Sequence, residues 1–540
     1  MNLFGEKARD YMFDYLIRGG VIVDGSGCAP FRGDLALRDG KIAAIGNLQG
    51  ASAGVVIDAA GSYVTPGFID IHRHADAAVF REGFGRLELK QGLTTIINGN
   101  CGLSAAPCAG PYAEQIRRYL APVTGSLDEA VPTESLQAYF EAARQVQLPI
   151  SVGMLAGGGT IRAMAAGYKV LHLDDDQIGT VHTQLEKALA DGALGVSLGL
   201  GYAPECFYTT EELIAALAPL KDSGVPITVH MRQEASGVVD SLEEMLTVAR
   251  ALRTPVEISH LKSIGKVNWR KTTPRMLRML RQAREAGLDV ACDAYPYTAG
   301  STQLIHVLPP ECQTGGIGEL SRNLWDPAFR AQLRQRMETG DDFENISLLA
   351  GWENVIASSI GPGENKQYEG KSIAEIAGLQ GKDPLDALFD LLAEERCDVT
   401  MIDFIAAEED ICSILRDEYS CVISDATYPT SGMLHPRVHG AFTRLLEHYV
   451  REQGELTIQQ AVRKATSRPA ARLGLTGKGK LLPGYDADVL IFDLEKLHEE
   501  ATYQDPARLS SGMDAVFVNG SPAILNGEFT GRTAGRVLTK

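Results

Sequence analysis

Short apolar runs recur along the middle of the chain, at residues 67–72, 93–98, 150–155, 194–198, 227–230, 256–260, 288–293 and 422–425. They are rich in Ile, Val, Leu and Thr, and stretches with helical periodicity separate them at 135–146, 174–191, 211–223, 241–252, 274–287 and 458–473. Alternation of buried strands with helices is the mark of a parallel sheet, and eight strands favour a closed barrel over an open doubly wound sheet. The C-terminal tips of the runs carry His72 with His74, then Cys101, His230, His260, Asp293 with Tyr295, and Asp425. A parallel barrel gathers such tips at one mouth, where the active sites of barrel enzymes lie.

The two ends have a different texture. Residues 14–64 and the segments around 485–494 and 513–532 read as short β segments broken by turns, with Asp39–Gly40 as a hairpin signal. One small β domain built from both termini is expected, from 1–65 and 476–540, around a barrel domain at 66–475. The stretch 301–397 is too long for one strand–helix connection and is expected to be an insertion that covers the barrel mouth.

With 540 residues, 45% of them hydrophobic, the chain can bury a large core. A net charge of −18 argues against nucleic acid or an anionic membrane as a partner and leaves a small-molecule substrate. Nine cysteines without paired spacing indicate a reducing compartment. The start, MNLFGEKARDYMFDYLIRGG, lacks the layout of a signal peptide, and no run is long enough to span a bilayer, so a cytoplasmic location is expected.

The chemistry lies in the tips. Alternation along the first run points His72 and His74 to one side and Arg73 to the other; taken alone, the pair also reads as strand-end hydrogen bonding. Cys101 stands among Gly99, Asn100 and Gly102 just past the second run, whereas the other eight cysteines read as small buried hydrophobes. Cys101, His230 and His260 make a three-ligand set that leaves a fourth metal position open for catalysis. Asp425 ends the last run as a metal ligand, a proton carrier or a helix N-cap. Asp293 is read as structural.

Together, PGFIDIHRHAD, LKQGLTTIINGNCGLS, GLGYAPE, VHMRQE, ISHLKS, CDAYPYTAGST, SDATYP, HPRVHGAFTR and GYDADVLIFD resemble the D-aminoacylases, the N-acyl-D-amino acid deacylases of the amidohydrolase superfamily. The resemblance runs in order from about residue 15 to 531. It implies a distorted TIM (β/α)8 barrel with a small β-sandwich domain from both termini. It also implies one tight Zn2+ on Cys101, His230 and His260, and a weaker second position on His72, His74 and Asp425. The fourth run, GALGVSLGLGY, has no lysine to bridge two metals, in agreement with the cysteine-bearing branch. By the same resemblance Asp425 is the catalytic residue, and Lys262, Tyr295, Ser301 and Arg437 bind the substrate carboxylate; otherwise the cations are surface charges and Tyr295 is strand packing. Segment 304–310 offers no Arg or Lys to an acidic side chain, which favours a neutral or hydrophobic D-residue. The alternatives are a cyclic amide or a dipeptide with a C-terminal D-residue as substrate, or a non-catalytic binding homologue.

Overall fold

The computed structural model describes residues 12–540 apart from 341, 430 and 431. The first eleven residues, on which the signal-peptide reading partly rests, lie outside the described residues. Seven of the apolar runs form strands, β1 (Phe68–Asp70), β2 (Leu93–Asn98), β3 (Ser151–Met154), β4 (Val196–Gly199), β5 (Ile227–His230), β6 (Val256–Ile258) and β7 (Val290–Ala294), and the eighth strand, β8 (Ser420–Val422), starts two residues before its run and shares only Val422 with it. Every residue in them is buried, as a sheet covered on both faces requires. The strands pair in parallel and in sequence, β1 to β3 in one sheet and β4 to β8 in another.

Two seams close the ring. Between β3 and β4, Ala156 and Gly157 pair with Val196 and Ser197. The C-terminal tail lies along the edge of β3 before that point, with the Val152 N–H donating to the Arg536 carbonyl at 2.9 Å and the Leu538 N–H to the Val152 carbonyl at 2.8 Å. This is the barrel's distortion. Between β8 and β1, closure is made beyond the strand tips: the Asp425 N–H donates to the His72 carbonyl at 3.0 Å and the His74 N–H to the Ala426 carbonyl at 2.9 Å. The backbone therefore locks His72, His74 and Asp425 together before any side chain acts.

Arg73 points away from the two histidines, as alternation predicts, into a fully buried polar cluster. Its guanidinium donates to Asp70 (3.1 Å), Ser424 Oγ (3.0 Å), Glu88 (3.3 Å), Tyr428 Oη (2.7 Å) and the Val438 carbonyl (3.1 Å), pinning both sides of the seam. Truncation would leave Asp70 and Glu88 buried without a counter-charge. Arg73→Met is expected to cost about 3–5 kcal/mol in guanidinium unfolding, and a loss near the ~1 kcal/mol of a surface pair would refute the clamp.

The terminal segments form one nine-stranded sheet, joined where Tyr63–Pro66 runs antiparallel to Val489–Phe492. The sheet curls on itself, so that the Tyr15 ring meets Phe517 edge-on at 5.0 Å and Ile17, Leu35, Val64 and Val489 share one core. The Asp39–Gly40 turn has φ of 52° and 75°, the left-handed pair that an Asp-Gly hairpin adopts.

Between β7 and β8 the chain leaves the barrel and builds an antiparallel sheet, Ala299–Gln303 and Val355–Ser359 flanking Thr400–Phe404. Its core includes Leu304, Leu388, Phe389, Val399 and Met401. The central strand thus lies beyond residue 397, where the sequence pattern placed the end of the insertion. Among the described residues no helix is long and apolar enough to cross a membrane.

Candidate metal centre and active site

The barrel mouth collects two donor sets that share one thiol: Cys101, His230 and His260, and His72, His74, Cys101 and Asp425. All six residues are buried, and within each set the donor atoms lie within 4.8 Å of one another. Cys101 Sγ is 3.5 Å from His260 Nε2 and 3.2 Å from His72 Nε2, while His260 Nε2 is 3.0 Å from His230 Nδ1. His72 Nε2 and His74 Nε2 each stand 3.3 Å from Asp425 Oδ1. Ligands at ~2.0–2.3 Å from a tetrahedral zinc are separated by roughly 3.3–3.7 Å, so these separations have the scale of coordination edges.

The backbone supports a functional reading. Cys101, His260 and Asp425 have φ of 53°, 37° and 53°, a left-handed conformation that non-glycine residues avoid and that clusters at active sites. The turn carrying Cys101 is held by Asn100, whose Nδ2 donates to the Ile97 carbonyl at 3.0 Å and the Ile71 carbonyl at 3.2 Å, tying the tips of β1 and β2. A side chain at Gly102 would collide with Glu205, whose Oε2 already accepts the Gly199 N–H at 2.6 Å. Asp293 takes the structural role expected of it, accepting the His260 N–H at 2.5 Å.

The electrostatics fit a cation. Burial holds His72, His230 and His260 well below the ordinary imidazole pKa, which leaves them neutral and able to ligate. Burial together with the Asp425 and Glu234 carboxylates pushes the Cys101 thiol well above its usual value, so a thiolate there requires a positive ion beside it. Asp425 is held well below the usual carboxylate range; burial opposes this, but the Arg437 guanidinium leads the groups that outweigh it.

Sequence reasoning missed Glu234, although it stands four residues after His230 in VHMRQE. Its Oε1 lies 3.0 Å from His260 Nδ1 and its Oε2 accepts Lys262 Nζ at 2.7 Å, while the same Nζ stands 2.7 Å from His260 Nδ1, so a carboxylate and an ammonium together fix the ring through its second nitrogen. Among the described residues no hydrogen-bond partner reaches Nδ1 of His72 or His74. The first set is therefore the better oriented of the two.

A pocket opens over the donors, and Lys262, Tyr295 and Ser301 line it. Arg437 backs it from a fully buried position, 3.0 Å from Asp425 Oδ2 through Nη1 and 2.8 Å from the Ser301 carbonyl through Nη2, with its guanidinium over the Tyr295 ring. Lys262 and Arg437 are thus not surface charges, and Asp425 caps no helix, since among the described residues the next one is Arg437–Arg444. His306, Glu344 and Asp403 also line the pocket, and the sequence pattern singled out none of them.

Imidazoles and a carboxylate in two donor sets that share a thiol, at the mouth of a (β/α)8 barrel, define the class: a metal-dependent hydrolase. Known proteins narrow it. Amidohydrolase family models match residues 63–255 and 357–524. The D-aminoacylase of Alcaligenes xylosoxydans xylosoxydans is 34% identical, with 98% of each chain covered, and the N-acyl-D-glutamate deacylase of the same organism is 31% identical over 94% of this chain and 93% of its own. The crystal structure of N-acyl-D-glutamate deacylase from Bordetella bronchiseptica, with zinc and a phosphonate mimic of the tetrahedral intermediate, superposes with a TM-score of 0.83 at 32% identity, covering 98% of this chain and all of that one. The chain belongs to the D-aminoacylase family of N-acyl-D-amino acid deacylases, amidohydrolases that act on linear amides.

Proposed function

We propose that the chain hydrolyses N-acyl-D-amino acids to a carboxylate and a free D-amino acid, with zinc held tightly by Cys101, His230 and His260 and a weaker second position on His72, His74 and Asp425. The observation that carries this reading is the shared Cys101 between two donor sets, set beside a buried cluster of Lys262, Tyr295 and Arg437. The oriented His260 and the unpartnered Nδ1 atoms of His72 and His74 support the difference in strength between the two positions. When bound, zinc supplies a water nucleophile at neutral pH and polarises the scissile carbonyl.

The chain's own residues do the rest. Lys262, Tyr295, Ser301 and Arg437 hold the α-carboxylate with charge-assisted hydrogen bonds, fixing which face of the amide meets the water. Asp425, kept ionised by Arg437, takes the proton of the attacking water and delivers it to the leaving nitrogen. The division into 1–65, 66–475 and 476–540 belongs to this proposal, with the excursion after β7 supplying the outer wall of the pocket. So does a reducing, cytoplasmic setting, which nine free cysteines support.

The test is amine release by zinc-loaded protein from paired N-acetyl-D and N-acetyl-L amino acids. Release from D-substrates alone is expected. Silence across the panel with zinc bound would favour a cyclic amide or a dipeptide with a C-terminal D-residue.

A further inference from the structure

Asp403 lies on the strand Thr400–Phe404, where alternation places it on the same face as Met401 and Ile405. Those two neighbours belong to the apolar core of the excursion. A carboxylate at that place is buried, with 3% of its surface exposed, and it lines the pocket. Burial pushes its carboxyl up to about 6, against the pull of His306, Lys262 and Arg437, so near neutral pH it is largely an anion. A group this costly to bury is retained where a ligand completes it.

Its surroundings say which part of a substrate it meets. Asp403 pairs across the sheet with Gly300, and a Cβ on that glycine would stand 2.8 Å from Asp403 Oδ1 and 3.5 Å from Tyr295 Oη. The glycine leaves the carboxylate its place facing the pocket beside Tyr295, which a larger residue would make it shift from. The α-carboxylate held by Tyr295 and Lys262 is one bond from the carbon where the D-side chain branches, whereas the acyl group lies across the scissile nitrogen. Asp403 therefore borders the side-chain subsite. Glu344 adds a second carboxylate to that wall: its Oε2 accepts the Glu234 N–H at 2.5 Å, and its Oε1 stands 3.7 Å from His306 Nε2. Lys262 is the one Lys or Arg among the lining residues, and Glu234 already engages it.

We propose that Asp403, seconded by Glu344, makes this subsite select N-acyl-D-amino acids whose side chain ends in a cation, a guanidinium or an ammonium group. The inference rests on the deacylase reading above and specifies its substrate class. A D-glutamate or D-aspartate side chain would meet two carboxylates, with His306 already beside Glu344 and Lys262 already engaged by Glu234.

The experiment compares kcat/KM of the zinc-loaded full chain on N-acetyl-D-arginine, D-lysine, D-methionine, D-glutamine and D-glutamate, for the wild type and for Asp403→Asn. The wild type is expected to favour D-arginine or D-lysine over D-methionine by about tenfold or more, with D-glutamate last. Asp403→Asn should cut the D-arginine to D-methionine ratio by about 30-fold, the scale of one hydrogen bond to a charged group. A wild type that prefers D-methionine, D-glutamine or D-glutamate overturns the proposal without needing the variant to fold. So does an Asp403→Asn variant that slows every substrate equally. Silence on all five with zinc bound overturns the deacylase reading itself, and this proposal with it.

Discussion

Asp425→Asn is expected to lower kcat by about 10³-fold or more while the chain keeps its tight zinc, since general acid–base catalysis by one placed group contributes roughly 10²–10⁴-fold. Asparagine is nearly isosteric and still offers an oxygen to His72 and His74, but it cannot take up a proton at neutral pH. The tight donor set of Cys101, His230 and His260 does not include position 425, so elemental analysis should find that zinc retained. KM should change little, because the α-carboxylate is held by other groups. Near-normal turnover would remove Asp425 from the mechanism. Loss of zinc in parallel with activity would make it a structural ligand instead. The backbone prepares this result: the Asp425 N–H is tied to the His72 carbonyl and its φ is 53°, so the substitution has a fixed frame in which only the proton chemistry differs.

That frame also explains what was legible in the sequence. Strands buried on both faces write themselves as apolar runs, which is why all eight barrel strands could be located from pattern alone and why the polar residues at their tips stood out. His72, His74, Cys101, His230, His260 and Asp425 were visible because each interrupts or ends such a run, and the mouth brings them within a few ångströms. Lys262, Tyr295, Ser301 and Arg437 came from family resemblance, since charge and hydroxyl types at loop positions say nothing of direction. Glu234 was not legible: it lies past the strand in an irregular turn, and its value lies in a contact with His260 Nδ1 that no spacing rule encodes. The excursion after β7 hid its central strand for a different reason. The run MIDF carries an aspartate where alternation asks for an apolar residue, which weakens the strand signal at the position that makes Asp403 of interest.

Cys101→Ala tests the metal centre from the other side, and its expected result is loss of the tight zinc together with activity. The thiol is shared by both donor sets, so its removal leaves His230 and His260 as a two-ligand remnant and strips the charge that would hold the cation. Alanine fills the same left-handed backbone position at no greater steric cost than cysteine, and Asn100 keeps the turn in place through the Ile97 and Ile71 carbonyls. The fold should therefore survive, and the stability difference between zinc-loaded and chelated protein should collapse. In the wild type that difference is expected to be about 4 kcal/mol when free zinc exceeds its Kd by about 1,000-fold, because a ligand that binds only the native state stabilises it by mass action. Denaturant unfolding with and without chelator measures it, alongside zinc per chain. A variant that keeps stoichiometric zinc and its stability increment would place the tight site elsewhere in the mouth, on His72, His74 and Asp425.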